Sequence, residues 1–486
     1  MVVNYPDERK MKMNKFIDSI QEQEARTENG MKSRVTSANK NVDLFFKIGA
    51  SRGKNIKPDF TAAHVENPEY ALRIAQWVRD AREGSGERQI YRDILKFLPE
   101  DQAKALIDKT PEIGRWDDLL VDFESIPVKA YAYDLIKKAL DDGNGLCAKW
   151  MPRKGPKAVS LRKYFGWTPK FYRKRLVELT KVVETLMCAN EWDAIDYSKV
   201  PSLASARYKK AFNRHSVNFE EYVEKLTSGD ESVKVNAGAV YPYDVLKGLA
   251  SIYNDQRYTN VEKGHIAAQW KALPNFVGDA KILPMVDVSG SMMTLAGGHT
   301  SKSSVTCLDV SVSLGLYLAD KNTGVYKDTF LTFSGSPELL TLRGDILQKV
   351  DQMKRSKWAM NTNLHAAFDK VLNLAVAHSV PQEDMPDVIM IMSDMQFDQC
   401  ANLDHSAVEM IRHKYEMAGY IMPGIVFWNL NAKSDVPVRF DDRGIAMVSG
   451  FSPTIVKSVL SSDMENMTPE AIMLKTIMNE RYDIAV

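Results

Sequence analysis

The rhythm of apolar and polar positions changes once along this chain, near residue 280. Before that point apolar residues recur at helical spacing. In "PEYALRIAQWVRDAR" (68–82) and "RKRLVELTKVVETLMCA" (173–189) they fall three or four apart, and Leu176, Leu179, Val183 and Leu186 share one face. "SARYKKAFNRH", "NFEEYVEKLTSG" and "YPYDVLKGLASIYN" predict further short helices, punctuated by Pro201, Gly229 and Pro242. With no clear β-alternation and no strict repeat period, the pattern predicts an α-helical repeat-like module over 41–277, bent into an arc or ring. Residues 1–40 are polar and poor in aromatics and read as a mobile or loosely packed arm.

Over 278–486 short continuous apolar runs alternate with helical patterns. "ILPMVDVS", "DTFLTFS" (328–334), "DVIMIMSD" (387–394), "GIVFWNLN" and "GIAMVSGF" predict strands. "SVTCLDVSVSLGLYLAD", "GDILQKVDQM", "LHAAFDKVLNLAVAH", "SAVEMIRHKYEMA" and, last, "SPTIVKSVL" predict helices. Strands apolar at every position are buried on both faces, so this half reads as a doubly wound parallel sheet with helices on both sides. The fold class is therefore multidomain, α followed by α/β.

Composition narrows the function without naming it. The 486 residues are 44% hydrophobic and 26% charged with a net charge of +1, so no whole-chain field steers the protein to nucleic acid or membrane. No apolar run approaches the roughly 18 residues that cross a bilayer. The start, "MVVNYPDERKMKMNKF", lacks the apolar stretch of a signal peptide. Cys147, Cys188, Cys307 and Cys400 form no CxxC pair and read as buried free thiols in a reducing, cytoplasmic setting.

Chemistry concentrates at two strand ends. In "KILPMVDVSGSMM" (281–293) the apolar run closes on Asp287, Ser289 and Ser291, and a later strand closes on Ser393 and Asp394. Between them "MNTNLHAAF" sets Thr362 just before a helix. Ligands of open α/β sheets sit beyond the carboxyl ends of the strands. If these strands are neighbours, their carboxylate and hydroxyl oxygens suit Mg²⁺, with Mn²⁺ a close second. The same residues also read as a capped polar turn with no metal. A nucleophilic Asp287 of the haloacid dehalogenase phosphatase type needs a second Asp two residues on, where this chain has Ser289. Two-metal nuclease sites need more carboxylates than two.

DxSxS, then a loop Thr, then an Asp after an apolar strand resembles the metal-ion-dependent adhesion site (MIDAS) of von Willebrand factor A (vWA) domains, across about 280–486. That resemblance implies that Asp287, Ser289, Ser291 and Thr362 face the metal directly or through water, and that Asp394 acts through water.

The most biased stretch is "KWMPRKGPKAVSLRKYFGWTPKFYRKR" (149–175). Its bases are Lys149, Arg153, Lys154, Lys157, Arg162, Lys163, Lys170, Arg173, Lys174 and Arg175, with no Asp or Glu and six interleaved aromatics. Cations that displace counterions from phosphates, beside rings that stack on bases, suit RNA with single-stranded parts. A solvated basic face with core-facing rings is the other reading. Smaller clusters precede it: Arg52 and Lys54 in "GASRGKNIK", and Arg79, Arg82, Arg88 and Arg92 around Gly84-Ser85-Gly86, either near phosphate or as plain surface arginines. "GRWDD" (114–118) marks a helix start with a packing Trp116.

"FFKIGASRG", "REGSGER", "AKWMPRKG", "SLRKYFGWTPKFYRKRL", "IDYSKVPSLA", "MVDVSGSM", "IVFWNLN" and "AMVSGFSP" resemble a family of largely uncharacterised proteins of phages, large viruses, bacteria and plants. More distantly the chain is similar to the Ro autoantigen family, whose helical-repeat (TROVE) module forms a ring closed by a vWA domain. The resemblance implies a non-enzymatic ribonucleoprotein component that binds small non-coding or misfolded RNA. The rival expectation is a protein-interaction module in which a partner's Asp or Glu completes the metal shell, in a virion or a chaperone-like complex.

Overall fold

In the computed structural model the apolar runs after residue 280 do become strands. The structure describes residues 24–27, 30–247, 249, 257–296, 305–333, 337–355, 363–397, 407–432, 436–462 and 467–484. Its strands are β1 (Glu24–Arg26), β2 (Lys32–Arg34), β3 (Ile282–Asp287), β4 (Thr329–Phe333), β5 (Leu339–Thr341), β6 (Val388–Ser393), β7 (Gly424–Asn429) and β8 (Ile445–Ser449). The last six form one sheet in the order β5-β4-β3-β6-β7-β8. β3 is central, parallel to β4 with Asp287 opposite Phe333, and parallel to β6 with Ile282 opposite Val388. Every residue of β3, β6, β7 and β8 is buried. Successive residues point to opposite faces, so both faces of the sheet are covered.

The sheet is mixed rather than wholly parallel, because β5 pairs antiparallel with β4. Only the five residues 334–338 separate those two strands, too few for a crossover and enough for a hairpin return. The helix Ile455–Leu460 is also not the last: Thr468 caps a further helix, Pro469–Ile477, through Ala471 N.

The N-terminal part is helical from Lys40 to Lys271. One expected helix is two. The stripe Leu176–Leu179–Val183–Leu186 breaks between Pro169–Leu179 and Val183–Cys188. Thr180 Oγ1 donates to Leu176 O, closing the first helix, and Thr180, Val182 and Val183 form a β-branched cluster of low helix propensity. Leu176 and Leu179 join the main core, whereas Val183 and Leu186 pack on a separate core around Tyr197, Phe212, Phe219 and Tyr222.

Both ends of the helical region rest on the sheet unit. At its start, Ser449 Oγ donates to Phe45 O (2.7 Å), Gly49 N donates to Ser449 Oγ (3.0 Å) and Asn429 Nδ2 donates to Phe46 O (3.1 Å). At its end, Trp270 Nε1 donates to Asp320 Oδ2 (3.0 Å) and Tyr317 OH donates to Pro274 O (2.6 Å). The two ends also meet, through Tyr241 OH donating to Ser85 O at 3.2 Å. The main apolar core accordingly runs from Met31 to Tyr482 across both regions, beside the smaller one around Phe212.

Of the expected arm, residues 1–23, 28 and 29 lie outside the described residues, and residues 24–27 and 30–40 are better anchored than a loose arm. β1 and β2 pair antiparallel, Arg34 bridges to Val436, and Thr27 Oγ1 donates to Phe397 O at 2.5 Å. Cys147 and Cys307 are buried as expected, but Cys188 is exposed at the end of its short helix; Cys400 lies outside the described residues.

Candidate functional site

The β3–β6 pairing brings the two acidic strand ends together. Asp287 closes β3 and is fully buried; Asp394 follows β6 and is 1% exposed. Ser289 N donates to Asp287 Oδ1 (2.9 Å), and Ser393 Oγ donates to Asp287 Oδ2 (2.5 Å). Ser289 Oγ and Ser291 Oγ lie 3.0 Å apart, and Ser291 Oγ donates to Asp394 Oδ1 at 3.3 Å. Four of the five expected residues, Asp287, Ser289, Ser291 and Asp394, thus form one hydrogen-bonded group. Thr362 lies outside the described residues.

Electrostatics there follow from two acids in a dry place. Burial first, and then the Asp394 charge, push the Asp287 carboxyl up to about 7. The site is a set of oxygen donors with few acids: among the described residues no three His, Cys, Asp or Glu gather as a metal-ligand cluster. Gly290 sits between the two serines. It starts a 3-10 turn (Gly290–Met293) without a positive φ, and a Cβ there would meet nothing within 4 Å.

Two participants were not assigned to this site from the sequence. Ser393 orients Asp287, and its position beside Asp394 at the end of an apolar strand was the available signal. Lys54, considered above only as a phosphate contact, sends Nζ to Asn431 O and to Ala432 O (3.2 Å) beyond β7. The buried Cys307 thiol, 3.3 Å from Leu430 O, feels Asp394, Lys54 and Asp287 together. A cation of the helical region therefore holds the backbone just beyond β7.

Three arginines of the smaller clusters, Arg52, Arg79 and Arg92, are held in ion pairs. Arg79 and Asp118 are 2% and 0% exposed and pair at 2.6 Å. Arg92 pairs with Asp118 and Asp117, both at 2.8 Å, and Arg52 pairs with Glu87 while lying over the Phe451 ring at 4.7 Å. Arg82 and Arg88 are exposed, but Ser85 is buried between them. A Cβ on Gly84 would fall 1.9 Å from Trp77 O, and Gly86, at φ +73°, lies against Tyr241 OH. The loop backbone is a packed junction, with Gly84 and Gly86 closed against Trp77 and Tyr241, while the Arg82 and Arg88 side chains face solvent.

The segment 149–175 behaves differently. It folds as Gly145–Trp150, Pro156–Tyr164 and the start of Pro169–Leu179. Arg153, Lys154, Lys157, Lys163, Lys170, Arg173 and Lys174 are exposed; Lys149, Arg162 and Arg175 are half-buried. Among the described residues only Lys174 of these ten meets a carboxylate, Glu178 at 3.7 Å. Four have local duties, among them Arg173, whose Nε donates to Pro169 O at 3.3 Å. Arg175 Nη2 donates to Leu140 O (2.8 Å) and Asp141 O (3.1 Å), satisfying the end of the helix Ile126–Asp141. Lys157 Nζ donates to Leu120 O, and Arg153 Nη2 donates to Thr180 Oγ1 at 3.1 Å. Most of the rings pack edge-on among themselves: Phe165 on Trp167 at 5.1 Å, and Trp167 on Phe171 at 5.0 Å. Tyr164 and Phe171 still show 44% and 50% of their surface.

The architecture is a helical region closed onto a mixed, mostly parallel α/β unit that carries an acid–hydroxyl cluster at its strand ends. Residues 149–279 match a domain of unknown function (DUF2828), and residues 281–483 match another (DUF7788). The chain belongs to the family of the uncharacterised protein L728 of Acanthamoeba polyphaga mimivirus, with which it shares 30% identity over 93% of its own length and 86% of the relative's. Among solved structures it is similar to the RO (RSR) protein of Deinococcus radiodurans, at a TM-score of 0.46 and 14% identity, covering 91% of this chain and 100% of that one. No helix among the described residues is long and apolar enough to cross a membrane.

Proposed function

We propose that the protein is a non-enzymatic RNA-binding protein whose contact surface is the exposed basic face of residues 149–175. The observation that carries this reading is a contrast in pairing. The arginines at 52, 79 and 92 are neutralised by Glu87, Asp117 and Asp118, whereas, among the described residues, one of the ten bases of 149–175, seven of them exposed, meets a carboxylate. Folding leaves that positive charge unspent, and phosphates are its natural counter-ions. Exposed Tyr164 and Phe171 beside it offer stacking faces to unpaired bases. Small non-coding RNA, or misfolded RNA with single-stranded ends, is the ligand class. Ultraviolet cross-linking to such an RNA is expected to place the adducts on peptides spanning 149–175; adducts confined to other peptides would refute the assignment.

The strand-end cluster is read as a divalent-metal site of the vWA type. Asp287, Ser289, Ser291 and Asp394, with Thr362, would hold Mg²⁺ or Mn²⁺ in an all-oxygen shell. A dication there supplies counter-charge to two acids, one of them held at about 7 by burial and its neighbour. Lys54, donated across from the helical region, favours a structural duty: the metal sets the strand-end loops against the helices. The rival, in which a partner protein's carboxylate completes the shell, predicts that a soluble acidic peptide binds only when metal is present.

A further inference from the structure

We propose that the helical region holds a second, separate anion site that takes a phosphate monoester end-on. It is a cavity of about 250 Å³ between the helices Ser202–His215 and Pro242–Val245, closed by Tyr258. Among the described residues four cations line it, Arg207, Lys209, Lys210 and Lys247, with one carboxylate, Asp244.

Lys209 is the informative member. It is 5% exposed, its Nζ donates to Ala206 O at 2.8 Å, and it lies 5.5 Å from the Tyr258 ring centroid. Among the described residues no carboxylate comes within ion-pair distance of it. The nearby acid Glu262 is committed elsewhere, accepting from Thr259 N (3.1 Å) and Asn213 Nδ2 (3.4 Å). Removing an ammonium from water with no ion-pair partner is costly, and burial, then Lys210, push Lys209 down to about 8 against the opposing charges of Glu262 and Asp244. Such a group lining a cavity is explained by an anion that enters it.

The layout selects the anion. Arg207, Lys210 and Lys247 are exposed at the rim, whereas Lys209 is buried. A diester lying along the surface meets the rim alone. A terminal phosphate, carrying about −1.5 to −2 charges at neutral pH, reaches the buried Lys209. Tyr258 is already fixed, its hydroxyl donating to Lys247 O at 2.7 Å and its ring 4.4 Å from Lys210 Nζ. A free nucleotide and a phosphorylated strand end share this chemistry.

The test is calorimetric titration of the full chain with inorganic phosphate, with a nucleoside 5′-monophosphate, and with one short RNA carrying either a 5′-phosphate or a 5′-hydroxyl. The monophosphate is expected to bind at least about tenfold tighter than its nucleoside, a gain of the size one charge-assisted contact gives. Discrimination between the two RNAs as well identifies a strand end as the ligand; discrimination only between the small molecules identifies a free nucleotide. Lys209→Met should abolish either preference, and Lys210→Gln with Lys247→Gln should weaken it. Binding of none of the phosphates beyond their hydroxyl counterparts, or an unchanged preference in a folded Lys209→Met protein, overturns the proposal. Lys170→Gln with Arg173→Gln lowers both RNAs equally if the 149–175 reading holds, so the two ideas fail separately.

Discussion

Asp118→Ala is the sharpest probe of how this helical region is held together. The carboxylate is fully buried and accepts from Arg79 Nε (2.6 Å), Arg92 Nε (2.8 Å) and Arg115 N (2.9 Å). Arg92 keeps Asp117, and Arg115 keeps its own pairing with Asp117. Arg79, 2% exposed, has Asp118 as its ion-pair partner and is left as a buried charge. Breaking a buried pair from one side costs about 3–5 kcal/mol. For a unit of 150–250 residues each kcal/mol moves an unfolding midpoint by roughly 2–4 °C, so a fall of at least about 6 °C is expected in a thermal melt followed by circular dichroism. The paired replacement Arg79→Met, Asp118→Leu should recover much of that loss, because it removes both charges together. A fall below about 2 °C for Asp118→Ala, which is under 1 kcal/mol by the same conversion, would refute the reasoning. It would also return Arg79 and Arg92 to the pool of available phosphate contacts.

Other consequences are as direct. Millimolar Mg²⁺ or Mn²⁺ should raise the melting temperature of the wild type and leave Asp287→Asn unmoved; equal shifts in both proteins would place any metal elsewhere. Gly315→Ala should lower stability by about 1–3 kcal/mol through overpacking, since its Cβ would lie 2.3 Å from Val286 Cγ2 on the central strand; an unchanged melt would mean that the helix Cys307–Lys321 lies farther from β3. Lys209 carries a pH signature. Its folded value, about 8, is depressed below the ordinary 10.5, so between those values the unfolded chain binds more protons and stability rises with pH. Lys209→Met should therefore be more stable than wild type near pH 7, with the gain fading towards pH 10.5; a constant difference across that window would contradict the burial argument.

The sheet was legible because its strands are buried on both faces. A run such as "VIMIM" has no polar position to disguise it, and the polar closings of β3 and β6 meet in space because the two strands are neighbours. β5 was not legible: "LLT" is three residues long and half exposed, with too little patterning to register. The break at 180–182 was hidden because the apolar stripe continues across it at the right spacing. What changes there is the partner, from the main core to the satellite core, and partners are a tertiary property. The arginines at 79 and 92 stayed ambiguous for the same reason, since the acids that claim them lie 25 to 39 residues away at 117 and 118. The bias of 149–175 survived folding because, among the described residues, its own helices offer one acid within reach, Glu178.

RNA binding by that surface is the central claim, and its salt dependence tests it most directly. Affinity for an RNA with single-stranded ends should be measured by fluorescence anisotropy across a salt series, for the wild type and for Lys170→Gln, Arg173→Gln, Lys174→Gln. These three bases are exposed, and the half-buried Arg175 is spared because it closes a helix end. Wild-type affinity should fall steeply with salt. The triple variant should bind more weakly with a log–log slope shallower by about 2, at roughly 0.7 per phosphate contact to a single strand. No binding at low salt, or an affinity and slope unchanged by the three substitutions, would contradict the account.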